Sequence, residues 1–264
     1  MIESLSFDLF GVEIILSVII LAFICELVNA VFGGGHGTLL APLLLIAGYH
    51  PLEVIPPILL VEFVSGLFLG LAHHKVGNVS FRLKSKHLKI AITLGICSLV
   101  GAILAVFLAI SIPTFLMELY IGSIVLLMGI VILLTINKHF KFSWKKILGL
   151  GIFAAFNKGL TGGGYGPLLT GGQLLTGANS KEAVSITPVA KSITCLVGFI
   201  AYAFTIEGMR WYLTPSLLIG SLISVPITAF VVKKVYEKSL RVLIGVVTTV
   251  LGIATLVKIL FFQL

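Results

Sequence analysis

Glu26, Glu62, Lys158 and Lys191 stand inside long apolar runs of this chain. A charge at the centre of a bilayer costs at least about 2.5 kcal/mol, so two acids and two bases at such depth need partners or a task. Either lysine could hold an anion directly. Lys158 could instead pair with Glu26 or reach the membrane edge along its aliphatic stem, and Lys191 could pair with Glu62. A buried carboxylate can also carry a coupling proton, so Glu62 and Glu26 are candidates for an ion pair or for proton coupling.

These residues surround a motif that occurs twice. Gly33, Gly34, Gly35, His36 and Gly37, followed by Leu39, Leu40 and Gly48, recur 129 residues later as Gly162, Gly163, Gly164, Tyr165 and Gly166, followed by Leu168, Leu169 and Gly177. The same offset relates Glu53 to Glu182, Asn29 to Lys158 and Glu62 to Lys191. Matching positions therefore carry different charges, which suits an asymmetric ligand or an ion pair. Later in the chain the offset shortens, and Gly122 and Gly129 match Gly245 and Gly252.

Non-helical backbone at membrane depth must find partners in protein or in a water-filled cavity. Three consecutive glycines permit an unwound segment that a ligand can approach closely. Thr38 and Pro167 then stand where a helix would restart. Each break should thus present a helix N-terminus, with free N–H groups and a positive dipole end. Two such ends facing one cavity favour an anion, and duplicated breaks of this kind point to a transport site. The competing explanation is that glycines merely allow close helix packing. His36 lies inside the first break and could bond to ligand or backbone. Gln173 could donate an amide N–H to an oxyanion or bridge two helices. The candidate binding set is Gly33, Gly34, Gly35, His36, Gly37, Thr38, Asn29, Lys158, Gly162, Gly163, Gly164, Tyr165, Gly166, Gln173 and Lys191. Ser185, Thr187 and Ser192 are weaker candidates, and Glu53 and Glu182 read as helix-capping carboxylates.

The elements that must position this set are transmembrane. Hydrophobic residues make up 58% of the chain and charged residues 11%, against about 25% charged in soluble domains. The net charge of +8 does not imply a nucleic-acid partner, because 13 of the 18 basic residues fall in clusters 75–89, 138–146 and 233–241 beside apolar spans. That is the pattern of cytoplasmic loops. Full spans are expected near 52–72, 88–110, 115–136, 183–206, 212–232 and 240–262. Segments 11–48 and 147–177 each read as a broken helical hairpin.

Counting crossings between the basic clusters gives an all-α integral membrane protein built from two inverted-topology repeats, 1–141 and 142–264, in one membrane domain. Each repeat has a broken hairpin and three transmembrane helices, and both termini fall outside the cytoplasm. Cys25, Cys97 and Cys195 are scattered in apolar runs and read as inert thiols. The chain has no P-loop, Gly-x-Ser-x-Gly or His-Glu-x-x-His motif, so no enzyme is indicated. Five of its six histidines fall at loops or span ends, which disfavours a cofactor-binding subunit, and no cofactor or metal is expected.

The Gly-Gly-Gly-x-Gly break with Leu39, Leu40 and Gly48, its second copy, and the stretch His73, His74, Lys75, Gly77, Asn78, Val79 resemble the TauE/SafE family of membrane transporters. The resemblance covers nearly the whole chain. It implies export or uptake of a small sulfur-containing anion, sulfite or an organosulfonate such as sulfoacetate, across the cell membrane. Such a protein would work by alternating access, with protons or another ion as driving partner. An anion channel with a similar site is the alternative.

Overall fold

The computed structural model describes residues 6–9, 12–32, 36–136, 144–161, 169, 173, 180–206, 211–234 and 237–262. They form helices α1 (Leu16–Phe32), α2 (His36–Ile46), α3 (Pro51–Val76), α4 (Lys86–Ser111), α5 (Thr114–Leu134), α6 (Trp144–Thr161), α7 (Ser180–Thr205), α8 (Leu213–Lys234) and α9 (Glu237–Phe262). Among the described residues the regular structure is all helical apart from a two-stranded antiparallel ribbon before α1, β1 (Ser6–Leu9) with β2 (Val12–Ile15). This ribbon corrects the expectation that the first hairpin begins at residue 11. Its end is pinned by the Ile15 N–H, which donates to Ser216 Oγ on α8 at 2.9 Å.

Local sequence fixes several helix ends. His50 Nδ1 accepts from the Leu52 N–H at 3.3 Å ahead of Pro51, a residue suited to the first helical position. At the other end of α3, Gly77 takes φ of 82°, a conformation that glycine adopts without strain, and its N–H closes on the last carbonyls. Ser85 caps α4 by accepting from the Leu88 N–H at 3.2 Å.

Each of the six expected full spans coincides with a helix. Among the described residues, four stretches are long and apolar enough, by length and composition, to cross a membrane: α3, α4, Glu182–Thr205 of α7 and Leu213–Val231 of α8. Shorter apolar stretches lie in α1, α5 and α9. Large apolar side chains such as Phe68, Ile96, Phe107, Leu127, Phe204 and Phe230 point outward, while Glu26, Glu62, Lys158 and Lys191 are buried. An apolar exterior around a charged interior is what a hydrocarbon solvent selects.

Helix pairing is selective. α5 packs on α9, α1 on α8, α4 on α6, and α3 on α7, while α3 also touches α8 and α4 also touches α7. Glycines bring the backbones close: a Cβ at Gly66 would collide with the Pro188 carbonyl and Ser192, and one at Gly129 would collide with Thr249. The α3–α7 pair lies at the centre of this arrangement and carries two of the buried charges, Glu62 and Lys191.

Candidate functional site

Glu62 and Lys191 occupy equivalent mid-helix positions, the twelfth of 26 residues in α3 and in α7. Around the Glu62 carboxylate converge groups from three other elements. The Gly37 N–H, in the first turn of α2, donates to Glu62 Oε1 at 2.7 Å. The Lys158 ammonium, from the last turn of α6, pairs with Oε2. Lys191 Nζ stands 3.5 Å from Oε1, and Cys195 Sγ, one turn further along α7, donates to Oε2 at 3.4 Å. All four side chains are buried.

Beside them, His36 Nδ1 lies 3.5 Å from Glu26 Oε2 of α1, both residues fully buried. His36 Nε2 has no hydrogen-bond partner among the described residues. The positive end of α2 and two ammonium groups thus enclose one carboxylate in a water-poor interior, where charge-assisted hydrogen bonds are short and strong. Taking these charges from water carries a desolvation penalty of several kcal/mol per ion, which only close pairing can offset. Chemically, these donors suit one small oxyanion, and here the Glu62 carboxylate fills that place.

Further side chains hold the cationic arm. The Tyr202 hydroxyl of α7 donates to the Gly159 carbonyl at 2.9 Å, just beyond Lys158. On the preceding residue, the Tyr120 hydroxyl of α5 donates to Asn157 Oδ1 at 2.5 Å. Gln173 Nε2 donates to Thr187 Oγ1 at 2.9 Å, one turn before Lys191.

The structure brings His36, Gly37, Glu62, Lys158 and Lys191 together, with Glu26 beside His36. Two expectations change. His36 opens α2 instead of lying within the unwound segment, so the helix restarts two residues before Thr38 and its first N–H groups lie closer to the site. Lys158, for which a pair with Glu26 was one alternative, meets Glu62, because α6 delivers it to the α3–α7 pair. Gly33, Gly34, Gly35, Gly162, Gly163, Gly164, Tyr165 and Gly166 fall outside the described residues, as do the side chains of Asn29 and Thr38.

Cys195 was missed as a site residue. The signal was present in the four-residue spacing of Thr187, Lys191 and Cys195, which places all three on one helix face. Glu53 and Glu182 make contacts away from the buried charges. Glu53 Oε2 accepts from the Tyr212 hydroxyl at 3.3 Å, and Glu182 Oε1 stands 3.6 Å from His87 Nε2.

Residues 18–255 match the family described as Sulfite exporter TauE/SafE. The chain is also 27% identical over 256 residues to the probable membrane transporter protein YtnM of Bacillus subtilis (strain 168), covering 91% of this chain and 83% of that protein. No solved structure gives a significant match.

Proposed function

Because this chain belongs to the sulfite exporter TauE/SafE family, a family of multi-pass membrane transporters, we propose that it is a secondary transporter of a small sulfur-containing anion. The substrate is sulfite or an organosulfonate such as sulfoacetate. It binds near the bilayer midplane between the two glycine breaks and crosses by alternating access. The observation that carries this reading is the convergence of Lys158, Lys191 and the Gly37 N–H on one buried carboxylate. These donors suit a sulfonate or bisulfite headgroup as well as they suit Glu62.

Alternating access follows from two halves inserted in opposite directions, and the packing supports that arrangement. Exchanging α1 with α6, α3 with α7, α4 with α8 and α5 with α9 turns the α1–α8 contact into α6–α4, and α3–α8 into α7–α4. Two core clusters exchange in the same way: Cys25, Leu40 and Val61 lie in one, and their matches at the 129-residue offset, Ala154, Leu169 and Ala190, lie in another. Reciprocal contacts agree. Gly129 packs on Thr249 and Gly252 on Leu126, positions related by the shorter offset of the last span. Glu62 and Lys191 match each other at the 129-residue offset and stand 3.5 Å apart, as residues beside an axis relating two inverted halves would.

The test is thermal stabilisation of the purified protein by sulfite, thiosulfate, sulfoacetate and methanesulfonate beside sulfate, acetate and chloride. A ligand bound only by the folded protein raises its stability, by about 2.7 kcal/mol at a hundredfold excess over Kd. Selective stabilisation by a sulfur anion, followed by its uptake into reconstituted vesicles, is expected. Equal stabilisation by chloride and acetate, or none by any anion, would overturn the substrate assignment.

A further inference from the structure

The Glu62 carboxylate occupies the donors that an anion would need. A second anion beside it would leave two negative headgroups sharing Lys158, Lys191 and the Gly37 N–H in a buried space. One of them must give way. Glu62 sits on the middle of a continuous helix whose glycines lock it against α7, so large retreat is blocked, whereas neutralisation needs only a proton.

Building on the anion-transport reading, we infer that Glu62 is a built-in competitor of the substrate: it takes up one proton when one negative headgroup binds, making the carried unit a proton with a monoanion. The charge balance supports this stoichiometry. With His36 neutral, Glu26, Glu62, Lys158 and Lys191 sum to zero. Adding one monoanion and one proton on Glu62 leaves the sum at zero. A dianion with one proton, or a monoanion with none, leaves an unbalanced buried charge, which is strongly unfavourable in such surroundings. The carboxyl group formed keeps an O–H with which it can donate to the bound oxyanion, so no donor or acceptor is orphaned by the exchange.

Groups facing Glu62 from its neighbours are Lys158 of α6, Lys191 and Cys195 of α7, and the Gly37 N–H and His36 of α2, with Glu26 of α1 behind His36. α8 also packs on α3, and its buried Ser221, Ser224 and Thr228 carry no charge. Glu118 of α5 is buried near the beginning of its own helix. His36 is the competing proton acceptor, since its Nε2 has no hydrogen-bond partner among the described residues.

The test is calorimetric titration of the intact protein with methanesulfonate, a permanent monoanion that cannot itself take up a proton near neutral pH. Titrations in two buffers of different ionisation enthalpy count the protons taken up per anion. The expected count is one. The proton-bound state is the liganded one, so affinity weakens tenfold per unit as pH rises, over the range where free Glu62 is ionised and bound Glu62 is protonated. Glu62→Gln should bind methanesulfonate with a count of zero and no pH slope.

If wild-type protein binds methanesulfonate with no proton uptake, the inference is overturned while the anion reading stands. If uptake persists in Glu62→Gln, the proton belongs to His36 and the inference is overturned. If Glu62→Gln does not fold, the wild-type count and pH slope still decide: one proton with a tenfold slope supports the inference, and zero overturns it. Failure of every sulfur anion in the stabilisation panel would instead sink the transport reading on which this rests.

Discussion

The two halves of the chain carry the same glycine motif and divide the buried charges between them. The first half supplies the acids at the site, Glu26 and Glu62, and the α2 N-terminus; the second supplies the bases that meet them, Lys158 and Lys191. Glu62 and Lys191 stand at matched positions, as do Asn29 and Lys158. Duplication alone would have placed like charges opposite each other across the α3–α7 contact, where they repel. Divergence to opposite signs turns that contact into an ion pair and leaves a second cation to spare at Glu62. The lesson is that a repeated sequence pattern can carry opposite charges at matched positions, and here those charges meet.

The largest expected effects come from breaking that division. Lys158→Ala leaves two buried carboxylates facing one lysine, and removing one member of a buried pair costs about 3–5 kcal/mol. The variant should unfold at much lower temperature in detergent and lose stabilisation by sulfur anions. The exchange Glu62→Lys with Lys191→Glu sharpens the comparison, because it preserves total charge and reverses only which repeat carries it. Its thermal stability should fall less than that of Lys158→Ala, yet anion binding should vanish, since an ammonium would then face the Gly37 N–H. Retained binding in the exchanged protein would show that position within the repeat does not matter.

A smaller effect tests the symmetry itself. Gly129 and Gly252 make reciprocal contacts, each against the backbone of the facing helix. Forcing a side chain into such a contact costs about 1–3 kcal/mol, so Gly129→Val and Gly252→Val should lower the unfolding temperature by similar amounts. Gly149 provides the control, as a Cβ there meets nothing within 4 Å. Gly149→Ala should leave stability unchanged or raise it by up to about 1 kcal/mol through helix propensity. Unequal losses at Gly129 and Gly252 would break the equivalence of α5 and α9.

The membrane class, the positions of the helices and the identity of the buried charges were legible because each leaves a one-dimensional trace: apolar length, glycine density, and ionisable residues in apolar runs. The partner choice of Lys158 was not. Glu26, Glu62 and Lys158 are far apart in sequence, and only the way α6 packs against α4 and α7 brings Lys158 to α3. The N-terminal ribbon was hidden for another reason. Residues 12–15 are apolar and β-branched or acidic, a pattern that a short run leaves ambiguous between strand and helix. Cys195 was passed over because a lone thiol in an apolar run is ordinarily inert, and its contact with Glu62 depends on helix facing rather than on residue type.

The smallest prediction concerns the helix starts, where the halves differ in a way that pH can read. Glu53, in the first turn of α3, accepts from the Tyr212 hydroxyl, while its counterpart Glu182, in the first turn of α7, meets His87. The first contact is between a carboxylate and a phenol that keeps its proton across the neutral range. The second is an ion pair only when His87 is protonated, and both of its members are partly exposed, so it is worth at most about 1 kcal/mol. An imidazole carries its charge more often in mildly acidic than in mildly alkaline solution, so Glu182→Gln should destabilise the protein more at about pH 6 than at about pH 8. Glu53→Gln should destabilise it equally at both. The thermal unfolding difference between each variant and wild type at the two pH values makes the check. An equal pH response at both carboxylates would mean that His87 does not act as a charged partner and that the two helix starts are chemically alike.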